Sequence, residues 1–419
     1  MPYRILIPDE IPYSSGVENV AIAIVGELLS KVESVTWLVE DPKKSEKIKK
    51  RLPNSDNLKI AHFKNWNGST SKKNNYLHHL KAGIKRLPLL RRGAEAVYRG
   101  LVDQRIAVIA AEIKATHCWF HFLQGQSLPK LSIPVCGVIH DQNFRYFPEN
   151  ISRGKSRQFK SAVKQWLNGS DMLTVLSDIG RQELLEINPT PHPQIEIIPN
   201  AIKLTPSKHK AEKRCTTEKP TFLYPAAALS HKNHHSLFRA VKRLGQMGYK
   251  FKLVICGEGT RELVGTRRVS NSGAEKARAF YDANRNYLNE FVEAIGHCKK
   301  ESLENLYSSC VAVVLPSQYE GFGLPLVEAL SRSTPVICNR LIPFKEQVER
   351  YDAHDWVQWV NANDVDSIVE AIESKLNSDN KSFSQGVFPR ERLEAWTWVD
   401  VAERYMQLFE EVHQKFRNS

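Results

Sequence analysis

Short apolar runs alternate with longer amphipathic segments from the first residues of the chain onward. An apolar run at residues 4–8 precedes a helical pattern at 17–31, and a second run follows at 35–39. Such alternation is typical of doubly wound α/β domains, because the crossover between two parallel strands is usually a helix. The pattern therefore predicts an α/β fold built on parallel sheets.

The alternation is interrupted between residues 202 and 221, where Lys, Pro, Ser, Glu and Thr leave almost nothing to bury. This composition is typical of an interdomain linker. A length of 419 residues also exceeds one ordinary core and favours two or three domains. We predict two Rossmann-like domains that face each other across a cleft, namely residues 1–204 completed by a closing helix at 399–419, and residues 219–398, joined by a linker at 205–218.

The composition is that of a soluble globular protein, with 42% hydrophobic and 25% charged residues. No apolar run approaches the roughly 18 to 20 residues that span a bilayer. The first residues form a strand pattern without the basic and apolar regions of a secretory signal, so we expect a cytoplasmic protein. The seven cysteines lack C-x-x-C spacing and are expected to be reduced and structural.

A net charge of +13 allows three interpretations: nucleic acid, an acidic membrane face, or solubility alone. Basic residues concentrate at 43–51 and again at 81–99, where they are interleaved with leucines. The second stretch suits the inner face of an anionic membrane, and a solvated helix pair explains it equally well. We expect no nucleic-acid partner.

Candidate ligand-binding residues follow five of the predicted strands. Ligands of open parallel sheets bind beyond the carboxyl ends of the strands. The five segments are Ser14-Ser15-Gly16 after 4–8, His140-Asp141 after 133–139, Lys232-Asn233 after 222–224, Gly257-Glu258-Gly259 after 251–256, and Glu320 to Leu324 after 311–315. We expect these segments to form one cleft between the two sheets.

The segment at 315–330 carries the most specific chemistry. A strand enters a glycine-bearing loop, and a helix then begins with Pro325 at or near its first position. Unpaired N–H groups of a first helical turn bind anions such as phosphate, and Gly321 and Gly323 allow a ligand to approach the backbone closely. Glu320 and Glu328, eight positions apart, would bind sugar hydroxyls.

This string resembles the E-x7-E signature of family-4 glycosyltransferases, which are retaining enzymes of the two-domain GT-B architecture. The resemblance implies that Glu320 lies by the donor sugar and that Glu328 binds the ribose of the nucleotide. It also implies that His140 approaches the donor sugar from the first domain and that Lys232 neutralises the donor diphosphate. The Tyr-Pro start of the second domain and the His-Lys-Asn motif are similar to bacterial mannosyl- and hexosyltransferases of surface polysaccharide assembly.

One position departs from the family pattern. Family members commonly carry an arginine five residues before the lysine, where this chain has Ala227. Either another group, such as His231 or His234, compensates for the missing cation, or the diphosphate depends more on backbone N–H groups.

No metal or cofactor is expected beyond the nucleotide sugar itself. Asp364 and Asp366 have the D-x-D spacing of a metal site, but at a probable helix start we interpret them as capping residues. No G-x-G-x-x-G follows the first strand, which disfavours a nicotinamide enzyme.

The function expected from this resemblance is retaining, metal-independent transfer of a hexosyl group from GDP-mannose or a UDP-hexose to a glycan or lipid-linked glycan. The alternatives are a non-catalytic basic scaffold for membranes or nucleic acid, and a nucleotide-sugar epimerase. The predicted catalytic residues are His140, Lys232 and Glu320. The predicted nucleotide-sugar site comprises Gly16, Lys232, Asn233, Gly257, Glu258, Glu320, Gly321, Phe322, Gly323, Leu324 and Glu328.

Overall fold

A computed structural model describes residues 2–9, 16–39, 42–62, 91–123, 125–202, 219–265, 272–377 and 386–418 of the chain. These residues form two parallel sheets, one of seven and one of six strands, each flanked by helices. The predicted fold class, two Rossmann-like parallel-sheet domains, is confirmed.

The strands are β1 (Arg4–Asp9), β2 (Ser34–Val39), β3 (Leu58–His62), β4 (His117–Phe120), β5 (Val135–Ile139), β6 (Met172–Val175), β7 (Ile195–Ile197), β8 (Thr221–Pro225), β9 (Lys252–Cys256), β10 (Val292–Gly296), β11 (Ala312–Leu315), β12 (Val336–Asn339) and β13 (Val357–Val360). The α-helices are Gly16–Leu28, Pro42–Lys49, Arg91–Glu112, Asn143–Tyr146, Arg153–Gly169, Asp178–Ile187, His234–Gln246, Thr260–Val264, Glu275–Ala283, Arg285–Leu288, Lys300–Ser309, Leu324–Leu330, Ile342–Arg350, Val365–Asn377, Arg390–Glu394 and Trp398–Asn418.

The strand order is β3-β2-β1-β4-β5-β6-β7 in the first sheet and β10-β9-β8-β11-β12-β13 in the second. Every strand pair is parallel; for example, Ile5 of β1 lies between Val35 of β2 and His117 of β4. The central strands are apolar and buried on both faces, as expected for parallel sheets covered by helices on both sides. All carboxyl ends of a sheet therefore share one edge, and the candidate site lies along these edges.

Most predicted elements are present with shifts of one to three residues at their ends. The segment at 265–285 is different, because its sequence predicts a polar insertion of irregular structure. It contains the helix Glu275–Ala283, which buries Ala277 and Tyr281. The Tyr281 hydroxyl donates a hydrogen bond of 2.7 Å to Asn289. This buried aromatic residue holds a largely polar helix against the domain.

The last helix, Trp398–Asn418, packs on the first sheet. His117 of β4 makes a 2.9 Å hydrogen bond through Nε2 to the carbonyl of Phe409, and Tyr405 shares a hydrogen bond with Thr174 of β6. Tyr3 donates a hydrogen bond to Glu410 of the same helix. The chain thus leaves the second sheet and ends on the first.

Several sequence-based expectations lie outside the described residues. These are the linker at 205–218, Ser14 and Ser15, Cys215, and most of the basic stretch at 81–99. The six cysteines that the structure does describe are free. Within the described ranges, no helix combines the length and the hydropathy needed to cross a membrane.

Candidate active site

Strand order determines which predicted segments become neighbours. In the second sheet, β8 lies between β9 and β11, so the segments after these three strands are adjacent. In the first sheet, β4 separates β1 from β5. The residue that follows β4, His121, therefore lies between the segments that begin at β1 and β5. His121 was not among the predicted site residues, although its position directly after an apolar strand was a usable signal.

The Lys232 ammonium and the Glu320 carboxylate form an ion pair with an Nζ to Oε1 distance of 2.6 Å. Their side chains are only 17% and 10% exposed, so water screens this attraction weakly. Lys232 ends the 3-10 turn Ser230–Lys232, and its carbonyl accepts a hydrogen bond from the Tyr224 hydroxyl. The two residues were predicted to lie in one site, and the structure brings them into direct contact.

His140 follows β5, and its Nε2 lies 2.9 Å from the carbonyl oxygen of His121. Burial lowers the pKa of His140 from 6.5 to about 4, so the imidazole is neutral at physiological pH. Because a carbonyl can only accept, Nε2 carries the proton and Nδ1 is left as an acceptor. This tautomer can accept a hydrogen bond from a sugar hydroxyl.

Asp141 connects the first sheet to the Lys232–Glu320 pair. Burial raises the pKa of Asp141, whereas the Asn143 N–H and the charge of Lys232 lower it and the charge of Glu320 raises it. A cation and a carboxylate of the second sheet thus act electrostatically on a carboxylate of the first. Three strand ends, after β5, β8 and β11, meet at this point.

Gly321 lies at a contact between the two lobes, which are the domains built on the first and the second sheet. A Cβ atom at this position would lie 2.2 Å from the carbonyl oxygen of His140 and 3.0 Å from Cβ of Asp141. On the other side, the Ser177 hydroxyl donates a 2.9 Å hydrogen bond to the Gly321 carbonyl. Gly321 was predicted to allow a ligand to approach, and this stays a prediction; the structure corrects the account only in showing that the backbone of the opposite lobe occupies the space that a Cβ would need.

Gly323 requires the same correction. Its φ of +91° is in the left-handed region that favours glycine, and an added Cβ would lie 2.5 Å from the Phe344 ring. The helix Leu324–Leu330 begins directly after it, with no side chain capping its first turn and with Pro325 at the second helical position. Phe322 is buried in the core and Leu324 is half-buried, so these two residues anchor the loop.

Replacing Gly321 with alanine is expected to push the two lobes apart while each sheet still folds. A contact of 2.2 Å with backbone cannot be relieved by a rotamer change, so we expect kcat for sugar transfer to fall about 100-fold or more. Steady-state kinetics and small-angle X-ray scattering would show lost activity and a larger radius of gyration.

Gly154→Ala is the matched control for this substitution. Gly154 lies in the helix Arg153–Gly169, where an added Cβ atom would have no neighbour within 4 Å. Alanine is favoured over glycine in a helix by about 1 kcal/mol, so this variant should remain active and be slightly more stable. A fully active Gly321→Ala enzyme would show that the lobes need not approach this closely during catalysis.

Glu328 is held by Tyr307, which was not among the predicted site residues. The Tyr307 hydroxyl, from the helix Lys300–Ser309, donates a 2.7 Å hydrogen bond to Oε2 of Glu328. Burial raises the pKa of Glu328, and the bond from Tyr307 and the charge of Arg332 oppose that rise. The carboxyl group is therefore fixed in orientation, as binding to a pair of ribose hydroxyls requires.

Asn233 has a structural role through its side chain. Its Nδ2 donates hydrogen bonds to the carbonyls of Pro316 and Ala362, and its Oδ1 accepts from the Ser236 N–H at the start of the helix His234–Gln246. The residue was predicted to bind the nucleotide sugar. In this structure its side chain joins the loops after β8, β11 and β13 instead.

The loop after β9 lies against the loop after β8. Gly257 has a φ of +139°, and an added Cβ would come within 2.6 Å of the Ala226 carbonyl. The Glu258 carbonyl accepts a 2.8 Å hydrogen bond from the Ala228 N–H, while the Glu258 side chain is exposed. In the other lobe, Gly16 begins the helix Gly16–Leu28 with open space around its Cα atom.

Neither histidine near Ala227 replaces the missing arginine as a cation. Burial, together with the charge of Lys232, lowers the pKa of His231 to about 2 and that of His234 to about 3. His231 also accepts a hydrogen bond from the Asn150 amide, at 3.0 Å. These two histidines therefore do not supply the missing positive charge in this structure.

Asp364 behaves as a capping residue, whereas Asp366 forms an ion pair. The Asp364 carboxylate accepts a 3.0 Å hydrogen bond from the Asp366 N–H at the start of the helix Val365–Asn377. Asp366 forms an ion pair with Arg243. Across the residues that the structure describes, no cluster of three or more His, Cys, Asp or Glu side chains is arranged to hold a metal ion.

The fold and this site together define a GT-B glycosyltransferase, and comparison with known proteins gives the same class. The family model "Glycosyl transferases group 1" matches residues 207–386, and the model "Glycosyltransferase Family 4" matches residues 14–205. The first of these matches begins two residues after the second one ends. The chain belongs to the glycosyltransferases of family 4.

Among curated proteins, the chain is 25% identical to O-antigen chain mannosyltransferase B of Escherichia coli over 324 residues. The match covers 75% of this chain and 78% of that protein. Two solved structures share its fold. Sucrose-phosphate synthase from Thermosynechococcus elongatus has a TM-score of 0.67 at 17% identity, with all of both chains covered. Anabaena HepE in complex with UDP and glucose has a TM-score of 0.64 at 14% identity, covering 98% of this chain and 100% of that one.

Proposed function

We propose that this glycosyltransferase transfers a hexosyl group from a nucleoside-diphosphate sugar, GDP-mannose or a UDP-hexose, to a glycan or lipid-linked glycan acceptor. The observation that carries the proposal is the convergence of Lys232 and Glu320 from one lobe with His140 and Asp141 from the other. The similarity to an O-antigen mannosyltransferase supports mannose as the first sugar to test.

The site residues have separate tasks in this proposal. Lys232 and the N–H groups after Gly323 stabilise the negative charge that develops on the departing diphosphate. A lysine suits this task because its flexible stem can follow a moving charge. Glu320 and the neutral imidazole of His140 hold hydroxyls of the sugar ring, and Glu328 holds the ribose.

The transfer is proposed to be metal-independent and to retain the anomeric configuration. In a front-face reaction the donor phosphate itself accepts the proton of the attacking hydroxyl, so the enzyme needs no separate base. Activity that survives EDTA, and an anomeric proton signal of unchanged configuration in the product, would support these two points. Loss of activity in EDTA that returns with Mg²⁺ would contradict the first, and an inverted product would contradict the second.

We place this activity in the cytoplasm, at the inner face of the membrane when the acceptor is lipid-linked. The net charge of +13 supports contact with anionic lipids. Co-sedimentation with vesicles that contain phosphatidylglycerol, compared with neutral vesicles, tests this contact.

Nucleotide binding should be detectable as thermal stabilisation. A ligand that binds only the folded protein at 100 times its Kd stabilises it by about 2.7 kcal/mol. We therefore expect GDP or UDP at millimolar concentration to raise the Tm by several degrees, and the Lys232→Ala variant to respond much less to the diphosphate. The nucleoside alone, which lacks the phosphates, should stabilise both proteins equally.

The nucleotide screen, together with an assay of the donor sugar, separates the proposed function from its two alternatives. A scaffold without catalytic function would show no nucleotide effect and would bind polyanions in a salt-sensitive manner. An epimerase would convert the donor sugar into its epimer without an acceptor. Slow donor hydrolysis without an epimerised product would instead fit a transferase that lacks its acceptor.

A further inference from the structure

Tyr319, the residue directly before Glu320, reaches across the cleft to the first lobe. Its hydroxyl accepts a 2.8 Å hydrogen bond from the Gln142 N–H and donates a 2.9 Å hydrogen bond to Oε2 of Glu183. Gln142 follows His140 and Asp141 in the chain, and Glu183 lies on the helix Asp178–Ile187. One hydroxyl therefore joins the segment that carries Glu320 to the segment that carries His140.

The hydroxyl is suited to this double contact. Burial raises the pKa of Tyr319, and the charges of Asp141 and Glu183 raise it further, so the proton stays on the phenol. The ring is held as well: its centroid lies 5.6 Å from that of Tyr146 and 6.3 Å from that of His231. A protonated phenol with a fixed ring can donate and accept at the same time.

The residues directly before and after Glu320 in the chain both form hydrogen bonds with the first lobe. Tyr319, on its N-terminal side, binds Gln142 and Glu183, and Gly321, on its C-terminal side, accepts the hydrogen bond from Ser177. The Glu320 side chain itself pairs with Lys232 inside its own lobe. The first lobe thus holds the backbone on both sides of Glu320.

We propose that Tyr319 is a positioning residue for sugar transfer, whose hydroxyl aligns Glu320 with His140 when the two lobes meet. This inference rests on the proposed function, since it concerns the same site. The hydroxyl acts through Glu320 and need not touch the substrate. Misplacement of a reacting group by about 1 Å can cost up to about 100-fold in rate, so the hydroxyl should affect kcat far more than nucleotide affinity.

The direct test is Tyr319→Phe, which keeps the ring contacts and removes only the hydroxyl. We expect kcat to fall about tenfold or more, the Kd for GDP or UDP to change less than about threefold, and the Tm to stay close to that of the wild type. A wild-type kcat would overturn the proposal. A Kd that weakens in proportion to the loss of kcat would also overturn it, because the residue would then act in binding.

Tyr249→Phe is a closely matched control. The Tyr249 hydroxyl also donates to a glutamate, Glu373 at 2.6 Å, and accepts from an N–H group, that of the Asn377 side chain at 2.9 Å. All of these partners lie within the second lobe, away from the cleft. If loss of such a pair of hydrogen bonds lowered kcat by general destabilisation, both tyrosine variants would show it.

Variants of Glu183 provide the second, independent measurement. Glu183→Gln keeps an oxygen that can accept from Tyr319, so it should retain most of the wild-type kcat. Glu183→Leu should reproduce the loss seen in Tyr319→Phe, and the double variant should lose little more, because both changes break the same hydrogen bond. Fully additive losses would overturn the proposal. Absence of sugar transfer by the wild-type protein would instead refute the proposed function.

Discussion

Lys232→Ala is expected to lower kcat by about 100-fold or more while the protein stays folded. Removal of one charged or hydrogen-bonding group that stabilises a transition state typically costs about 10² to 10³ in rate. Lys232 is the cation that the structure brings to the centre of the site, and Ala227, His231 and His234 supply no second charge there. No neighbouring cation among these residues can compensate for its loss.

The control for this prediction is Lys250→Ala, which removes an exposed lysine of the same lobe. Steady-state kinetics should show normal turnover for this control, and Lys232→Arg should retain part of the activity because it keeps the charge. Thermal melts of all three variants test whether the fold survives. A purified Lys232→Ala enzyme with wild-type rates would refute the assignment of Lys232 to the diphosphate.

The ion pair between Lys232 and Glu320 leads to a further prediction, which concerns Glu320. In this structure the ammonium is bound to Glu320, so an arriving diphosphate must share or displace that carboxylate. Exchange of one negative partner for another lowers the cost of burying the lysine in either state. Glu320→Gln should therefore bind GDP or UDP more tightly than the wild type and still transfer sugar more slowly.

The fold could be predicted from the sequence because its determinants are local and repeated. Alternating apolar runs and amphipathic helices predicted parallel sheets, and strand ends identified His140, Lys232 and Glu320 as neighbours of a cleft. The same reasoning could not find Tyr307 or Glu183, whose partners are 21 and 136 residues away in the chain. A polar residue inside a helix gives no local signal that it will contact a distant loop.

The two glycines of the loop after Glu320 show a second limit of prediction from the sequence. Gly321 and Gly323 were correctly identified as positions that need space, but the sequence suggested a ligand as the reason. The atoms that fill the space are the His140 carbonyl and the Phe344 ring. The Gly321 contact depends on the relative position of the two lobes, and the Gly323 contact depends on packing against the helix Ile342–Arg350 of the same lobe; no local pattern encodes either.

Acidification is expected to unfold this protein at a pH where most of its carboxylates are still charged. Burial lowers the pKa of the partly buried His235 below the ordinary value of 6.5, and it lowers the pKa of five more deeply buried histidines far below that value. They are His117 and His140 at about 4, His234 at about 3, His231 at about 2, and His121, which is lowered well below 6.5. Each stays neutral in the folded chain and becomes protonated in the unfolded chain as the pH falls through 6.5, so the free energy of unfolding decreases with it.

At pH 5 each of these histidines would cost about 2 kcal/mol relative to pH 7.5, since one pKa unit corresponds to about 1.36 kcal/mol. Half of the summed cost of the five histidines would already be comparable to the total stability of about 5–15 kcal/mol that is typical of a folded protein. Glu183 has the opposite sign: burial raises its pKa to about 7, so its contribution to stability increases as the pH falls towards 4.5. Burial also raises the pKa of Asp141, Asp171, Glu328 and Glu346, so these carboxyl groups together with Glu183 offset part of the loss.

Urea unfolding curves between pH 7.5 and 5 measure this dependence, and His121→Phe tests its cause. Both ring nitrogens of His121 are buried and have no hydrogen-bond partner among the described residues, so phenylalanine removes a proton-binding site without breaking a hydrogen bond found there. We expect the variant to unfold at a lower pH than the wild type, with a shallower slope. His297→Leu, which removes an exposed histidine, should leave the curve unchanged. A free energy of unfolding that stays constant from pH 7.5 to 5 would show that these imidazoles take up protons in the folded state, and His140 could then no longer be treated as a neutral acceptor in the transfer reaction.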